Sequence, residues 1–175
     1  KVASYAQQGV NRASLGVQDF HAPVQEAINR IQPFRRVFQS VELLKLYGIE
    51  AISFDLLYGL PHQTTAMVKE NITYASVMTP SRISLFGYGH VPWMKKHMKL
   101  IPDSSLPNSL ERLEQFDAAR TALKQLGYIE IGLDHFAKPN DPMARAYLNN
   151  SLHRNFQGYT TDSAQTIVGL GASAI

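Results

Sequence analysis

Cysteine is absent from all 175 residues, and that absence excludes more than any other feature of the sequence. No disulfide framework, no thiolate-bound zinc and no cysteine-ligated iron–sulfur cluster can be built from this chain alone. Long apolar runs are missing too. None approaches the roughly 18–20 residues that a membrane-spanning helix needs. The opening KVASYAQQ has neither the apolar core of a signal peptide nor an initiator methionine. A start that is helical in character, with an end on Ser173-Ala174-Ile175, leads to the expectation of a fragment cut from a longer protein. A large charge of one sign is also lacking: 17 Lys+Arg stand against 14 Asp+Glu, a formal net charge of +3. With a pI near 9.2 this suits an anionic small molecule at least as well as nucleic acid. No RNA-binding aromatic signature or helix-turn-helix stands out, so no nucleic-acid partner is expected.

What is present is ordinary for a globular protein, 45% apolar and 18% charged residues in a length that suits one domain or a piece of a larger one. Strand-like runs alternate with helical patterns. Arg12–Val17 reads as a strand, followed from Pro23 by a helix with Val24, Ala27, Ile28 and Ile31 on one face. A second helix is expected over Arg35–Tyr47, stopped by Gly48, and a strand over Ile49–Leu57. Thr64 or Thr65 caps a third helix carrying Met67, Val68, Ile72 and Ala75, and Arg82–Tyr88 makes a third strand. Strands near 12, 50 and 82 with helices between are the pattern of a parallel sheet or a (β/α) barrel. Beyond them, residues 89–109 read as a long loop. A helix is expected over Ser109–Gly127, with Leu110, Leu113, Phe116, Ala119 and Leu123 as its stripe. Tyr128–Leu133 reads as a strand, Pro142–Leu152 as a helix and Ile167–Ile175 as a strand entering a turn.

Ligands of parallel sheets sit beyond the C-terminal strand ends, which selects Gln18, Asp19, Asp55, Tyr58, Gly59 and Tyr88–Val91. Asp55 is the most informative, because a carboxylate inside ISFDLL is costly unless a donor or cation meets it. It either bonds loop amides or accepts from a pair of sugar hydroxyls. Arg30 reads either as a salt-bridge partner on the first helix or as a snorkelling side chain, and Gln18 as a polar strand-end residue. The string GLGASA at 169–174 matches a dinucleotide fingerprint, but nothing after it supplies the required helix and acid, so that reading is rejected. His90, His97, His135 and His153 lack metal-ligand spacing, and no catalytic residue or metal ligand is assigned. Lys95, Lys96 and Lys99 either steer an anionic substrate or simply face solvent.

Several strings in order carry a resemblance: SLGVQDF at 14–20, NRIQ at 29–32, DLLYGLP at 55–61, GYGHVPW at 87–93, DHFA at 134–137, RNFQGYTT at 154–161 and GLGASAI at 169–175. Together they resemble the oxygen-independent coproporphyrinogen III oxidase family over essentially the whole chain. The resemblance implies a cytoplasmic radical S-adenosylmethionine (SAM) enzyme of haem biosynthesis. In that family a [4Fe-4S] cluster, held by Cys-x3-Cys-x2-Cys, cleaves SAM with an electron from a donor that this sequence does not identify. The resulting deoxyadenosyl radical removes a hydrogen from a propionate of coproporphyrinogen III, and loss of carbon dioxide and an electron leaves a vinyl. The implied fold is the second half of an incomplete (β/α)6, TIM-like barrel with parallel strands plus an α/β extension. The expected division places the half-barrel at residues 1–100 and the extension at residues 101–175.

Matched residue by residue, Gln18, Arg30 and Asp55 fall on family positions that bind SAM. Gly89, Gln157 and Ile175 fall on further SAM-contacting positions, in a family that binds two SAM molecules. Gly89 departs from the alanine more usual there. The cluster cysteines are expected before Lys1, so the 175 residues are expected to be inactive alone, and the full-length protein monomeric. The free edge of the first strand is expected to allow self-association. Two alternatives remain: a haem-binding chaperone relative of the same barrel, disfavoured by the form of NFQGYTT at 155–161, and an unrelated (β/α) lyase using Asp55 as general base.

Overall fold

A computed structural model describes residues 1–155 and 158–171. Its central sheet has the order β1-β2-β3-β5-β4, with β1 Arg12–Gln18, β2 Ala51–Tyr58, β3 Arg82–Gly87, β4 Ile129–Ile131 and β5 His135–Ala137. The first three strands are parallel, as the spacing of the apolar runs predicts. The sheet then turns antiparallel, β3 against β5 and β5 against β4. The antiparallel strands fall in the extension beyond the parallel half-barrel, and only one of them is expected from the sequence. A three-residue strand gives no readable periodicity, and Gly132 at φ +63 reverses the chain inside what reads as one strand over Tyr128–Leu133.

Helices α3 Phe34–Leu46, α4 Thr65–Val77 and α5 Ser109–Gln125 cover one face of the sheet. Alternation in β2 sends Ile52, Phe54 and Leu56 into that layer, where they meet Ile83 and Leu85 of β3, Val37 and Val41 of α3 and Val68, Ile72 and Ala75 of α4. At about 25 cal/mol per Å² of apolar surface this is the chief stabilising term of the fold. Thr64 caps α4 by accepting from the Met67 amide, and Asn108 with Glu111 forms a reciprocal capping box on α5. The opposite face is covered at β3, β5 and β4 by α6 Pro142–Leu148 and the hairpin β6 His153–Asn155 with β7 Gly158–Thr160, through Ile131, Ala137, Met143, Ala144 and Tyr159. At β1 and β2 that face carries Gly16, Ser53, Asp55 and Leu57, all half-buried.

Several boundaries differ from expectation. Helix α1 spans Val2–Gln7, and α2 runs only from Ala22 to Ala27. Asn29 at φ +52 ends α2 early, so Ile31 is exposed and Arg30 lies beyond the helix rather than on it. On α5 the buried stripe is Gln115, Ala119 and Leu123, whereas Leu110 and Leu113 face solvent. A polar residue takes the place there that apolar periodicity gave to leucine. Helix α6 stops at Leu148, before Asn150 at φ +55, and residues 167–171 form no strand.

Candidate functional site

The C-terminal ends of β1 and β2 bring three of the sequence candidates together. Register pairs Gly16 with Asp55, then slips by one residue so that Gln18 stands opposite Leu56. The bulge holds Gln18 at φ +69, a left-handed conformation rarely taken by a residue with a side chain. Gln18 Nε2 and Arg30 Nη2 both lie over Gly16: a Cβ there would meet them at 2.8 and 3.0 Å. A side chain at position 16 would therefore push the ends of Gln18 and Arg30 off this strand end. Arg30 donates from Nη2 to the Gly16 carbonyl at 2.6 Å and from Nε to Gln32 Oε1 at 2.8 Å. It has no carboxylate partner among the described residues. Asp55 accepts from Ser14 Oγ at 3.2 Å through Oδ2, while its Oδ1 takes no hydrogen bond among the described residues. A carboxylate of β2 and a guanidinium without an ion-pair partner thus flank Gly16 on the part of the sheet that no helix covers among the described residues.

Gly89 lies two residues past β3, exposed, with open space where a Cβ would stand. It shares the strand-end side of the sheet with the other three. Gln157 and Ile175 lie outside the described residues. Of the remaining candidates, Gly169 and Gly171 sit in an exposed loop, and the rest of that string is outside the described residues. His135 pairs with Asp134 at 2.6 Å and packs edge-on against Phe86 and Tyr159. No cluster of three or more metal-ligating side chains occurs among the described residues. A cleft of about 480 Å³ lies against the β6–β7 hairpin, lined by His153, Arg154, Thr160 and Asp162 among others. It is separate from the Gly16–Asp55 face, which is an open surface.

Beneath the site is a buried polar network that apolar patterning did not show. Asp19 is wholly buried. Its Oδ1 accepts from the His21 amide at 2.6 Å and faces His21 Nδ1 at 2.9 Å; its Oδ2 accepts from Gln63 Nε2 at 2.7 Å and Asn71 Nδ2 at 2.6 Å. Gln115 spans Gly59 and Gln63, donating to the Gln63 carbonyl and accepting from the Gly59 amide. Burial works against protonation of His21, but hydrogen bonds to Glu70 and Asp19 outweigh it and hold its pKa above the ordinary histidine value. The sequence signal for this network is a polar residue on a buried helix stripe, Asn71 between Val68, Ile72 and Ala75 and Gln115 ahead of Ala119. Arg112 of α5 is another residue that spacing did not reveal. It donates to the Tyr88 carbonyl at 2.8 Å and stacks over the Tyr58 ring at 5.7 Å.

Comparison with known proteins gives a consistent result. Residues 1–75 match the Radical SAM superfamily. The chain is 52% identical over 167 residues to a Bradyrhizobium diazoefficiens protein named oxygen-independent coproporphyrinogen III oxidase, a match covering 95% of this chain and 37% of that protein. A protein of the same name from Cereibacter sphaeroides is 46% identical over 175 residues, covering 100% of this chain and 39% of that protein. The fold superposes with a TM-score of 0.93 on the solved structure of Escherichia coli coproporphyrinogen III oxidase, described as a radical SAM enzyme, at 37% identity. That match covers 99% of this chain and 40% of the other. The chain therefore spans 37–40% of the length of these relatives.

Proposed function

We infer, from a chain homologous along its whole length to oxygen-independent coproporphyrinogen III oxidases and matching the radical SAM superfamily over residues 1–75, that it is the SAM-binding part of such an oxidase. The single observation that carries this reading is the convergence of Gln18, Arg30 and Asp55 on the uncovered sheet face around Gly16. SAM presents a ribose diol and a methionine carboxylate. Asp55, with Oδ1 free of donors among the described residues, accepts from the diol, and Arg30, with no carboxylate partner among them, takes the methionine carboxylate. Gln18 supplies a further polar contact. Gly89 contributes through its backbone, since open space replaces any methyl contact. Gln157 and Ile175 complete the set by sequence match.

When bound, SAM would supply the one-electron chemistry by which a propionate of coproporphyrinogen III becomes a vinyl with loss of carbon dioxide. The residues present do not fit a [4Fe-4S] cluster: no thiolate exists among the 175 residues, and no step through it is derived for this chain. An external electron donor and cluster ligands from outside these residues belong to the same reading, as does the division into a half-barrel at 1–100 and an extension at 101–175. The outer edge of β1 has no strand partner among the described residues, so it would accept another strand or a second copy of the chain. No helix among the described residues is long and apolar enough to cross a membrane. A cytoplasmic setting accords with the reduced cluster chemistry proposed. The names of the relatives favour the oxidase over a haem-binding chaperone of the same barrel.

The test is SAM affinity by calorimetry, comparing Asp55→Ala with the unsubstituted protein. Loss of charged hydrogen bonds to the diol predicts weakening of at least about tenfold. Unchanged affinity in a folded variant would return Asp55 to a structural role and remove the reading.

A further inference from the structure

Residues 91–101, VPWMKKHMKLI, lie just past Gly89, beyond the C-terminal end of β3, and the SAM reading leaves them without a role. They combine exposed apolar side chains with cationic ones that have no partner among the described residues. Trp93 is 76% exposed, Met94 71% and Leu100 86%. Lys95, Lys96 and Lys99 are exposed among them and have no hydrogen-bond or ion-pair partner among the described residues. No acidic residue occurs from Gly89 to Pro102, and the next one, Asp103, is engaged by His90 Nε2 at 3.2 Å.

The segment is nevertheless held in shape. The Met94 and Lys95 amides donate to the Val91 carbonyl, the Met98 amide to Lys95 and the Ile101 amide to Met98. Arg112 fixes the base of the loop at the Tyr88 carbonyl, and the His90–Asp103 pair closes its neck. Unpaired lysines alternating with exposed apolar side chains, on an ordered loop at the ligand end of the sheet, match an apolar body carrying several carboxylates. A sheet of scattered surface charge would lack the apolar element, and an apolar patch alone would lack the lysines.

We propose that the 91–101 loop is the docking surface for the tetracarboxylate tetrapyrrole: Trp93 and Leu100 lie against the macrocycle, and Lys95, Lys96 and Lys99 receive its propionates. This assignment rests on the function proposed above and names the residues that bring that substrate to the strand-end face. Screening of exposed charges by salt makes the interaction salt-sensitive.

Trp93 is the sole tryptophan, so its fluorescence reports occupancy of the loop. Coproporphyrin III, the stable oxidised tetracarboxylate, is titrated into the protein and into a variant with Lys95→Gln, Lys96→Gln and Lys99→Gln. The three positions are exposed, so folding is retained and is checked by circular dichroism. Quenching by coproporphyrin, with affinity about tenfold lower in the triple variant and similarly lower for the tetramethyl ester, is the expected result. Absence of quenching, or equal affinity for ester and acid or for protein and variant, overturns the proposal. So does lysine-dependent binding to phosphatidylserine vesicles at least as tight as porphyrin binding, which makes the loop a membrane contact. SAM affinity measured on the same samples is expected to be equal in protein and variant. Absent SAM binding with lysine-dependent porphyrin binding would fault the cofactor reading and leave the docking surface standing.

Discussion

Replacing Asp19 by asparagine changes one oxygen for an amide group without changing shape, so no cavity term enters and the hydrogen-bond arithmetic is isolated. Each orientation of the new amide meets donors. Placed at the Oδ2 position, the NH2 group faces Gln63 Nε2 at 2.7 Å and Asn71 Nδ2 at 2.6 Å; placed at Oδ1, it faces the His21 amide at 2.6 Å. The neighbours cannot rotate to relieve this. Gln63 Oε1 already accepts from the Leu60 amide and its Nε2 also serves the Leu57 carbonyl, while Asn71 Oδ1 accepts from the Phe20 amide. One or two buried donors lose their acceptor at about 1–3 kcal/mol each, and the charge partner of His21 is lost as well. A destabilisation of about 2–5 kcal/mol follows, a large part of the roughly 5–15 kcal/mol that holds a domain together. Urea unfolding followed by circular dichroism reads it as a lower midpoint at unchanged slope. A loss below about 0.5 kcal/mol would refute the network as drawn, because no arrangement of these donors satisfies an asparagine at this position.

Two further outcomes follow from the same kind of argument. His21 has a folded pKa raised above its unfolded value near 6.5, so the stability it contributes is fully present below that value and is lost as pH rises through the folded pKa. Titration of the ring by NMR checks the direction, and His21 titrating at or below the model-peptide value would contradict it; Asp19→Asn lowers that pKa by removing one of its two carboxylates. Asp141 ties β3 to α6, meeting Arg82 Nη2 at 2.8 Å and Nε at 2.9 and 3.0 Å while capping α6 through the Met143 amide. Asparagine keeps the cap and loses the charge, so Asp141→Asn separates the two roles; a loss of about 2–4 kcal/mol in urea is expected for the nearly buried pair, and a loss of a few tenths would assign the residue to capping alone.

The parallel half of the fold was legible because its strands and helices are long enough to show their periods. Ile52, Phe54 and Leu56 alternate, and Val68, Ile72 and Ala75 recur at helical spacing. Legibility failed where a turn residue outweighed the pattern, at Asn29 and Gly132, and where the burying surface was polar, at Gln115. Asp55 could be singled out because a carboxylate in an apolar run is conspicuous. Its convergence with Arg30 could not, because that depends on a bulge at Gln18 and on a connection folded back over Gly16. No spacing encodes either.

The hidden network explains how an exposed arginine in a loop can be placed at all. Gln25, nearly fully buried, donates both to the Asp19 carbonyl and to the Gln32 carbonyl at 2.8 Å and accepts from the Gln32 amide at 2.9 Å. Gln32 in turn accepts from Arg30 Nε, and Arg30 reaches the Gly16 carbonyl. Position is thus passed from the buried turn at Asp19 to the guanidinium through hydrogen bonds alone. The β2–α4 turn is anchored to the same aspartate through Gln63, so the strand ends that carry Gln18 and Asp55 share one support. A side chain with many rotatable bonds loses most of its entropy when it grips a ligand, and fixing it beforehand lowers that cost. On the proposed SAM reading, the polar residues buried beneath this sheet end would therefore serve binding as well as stability.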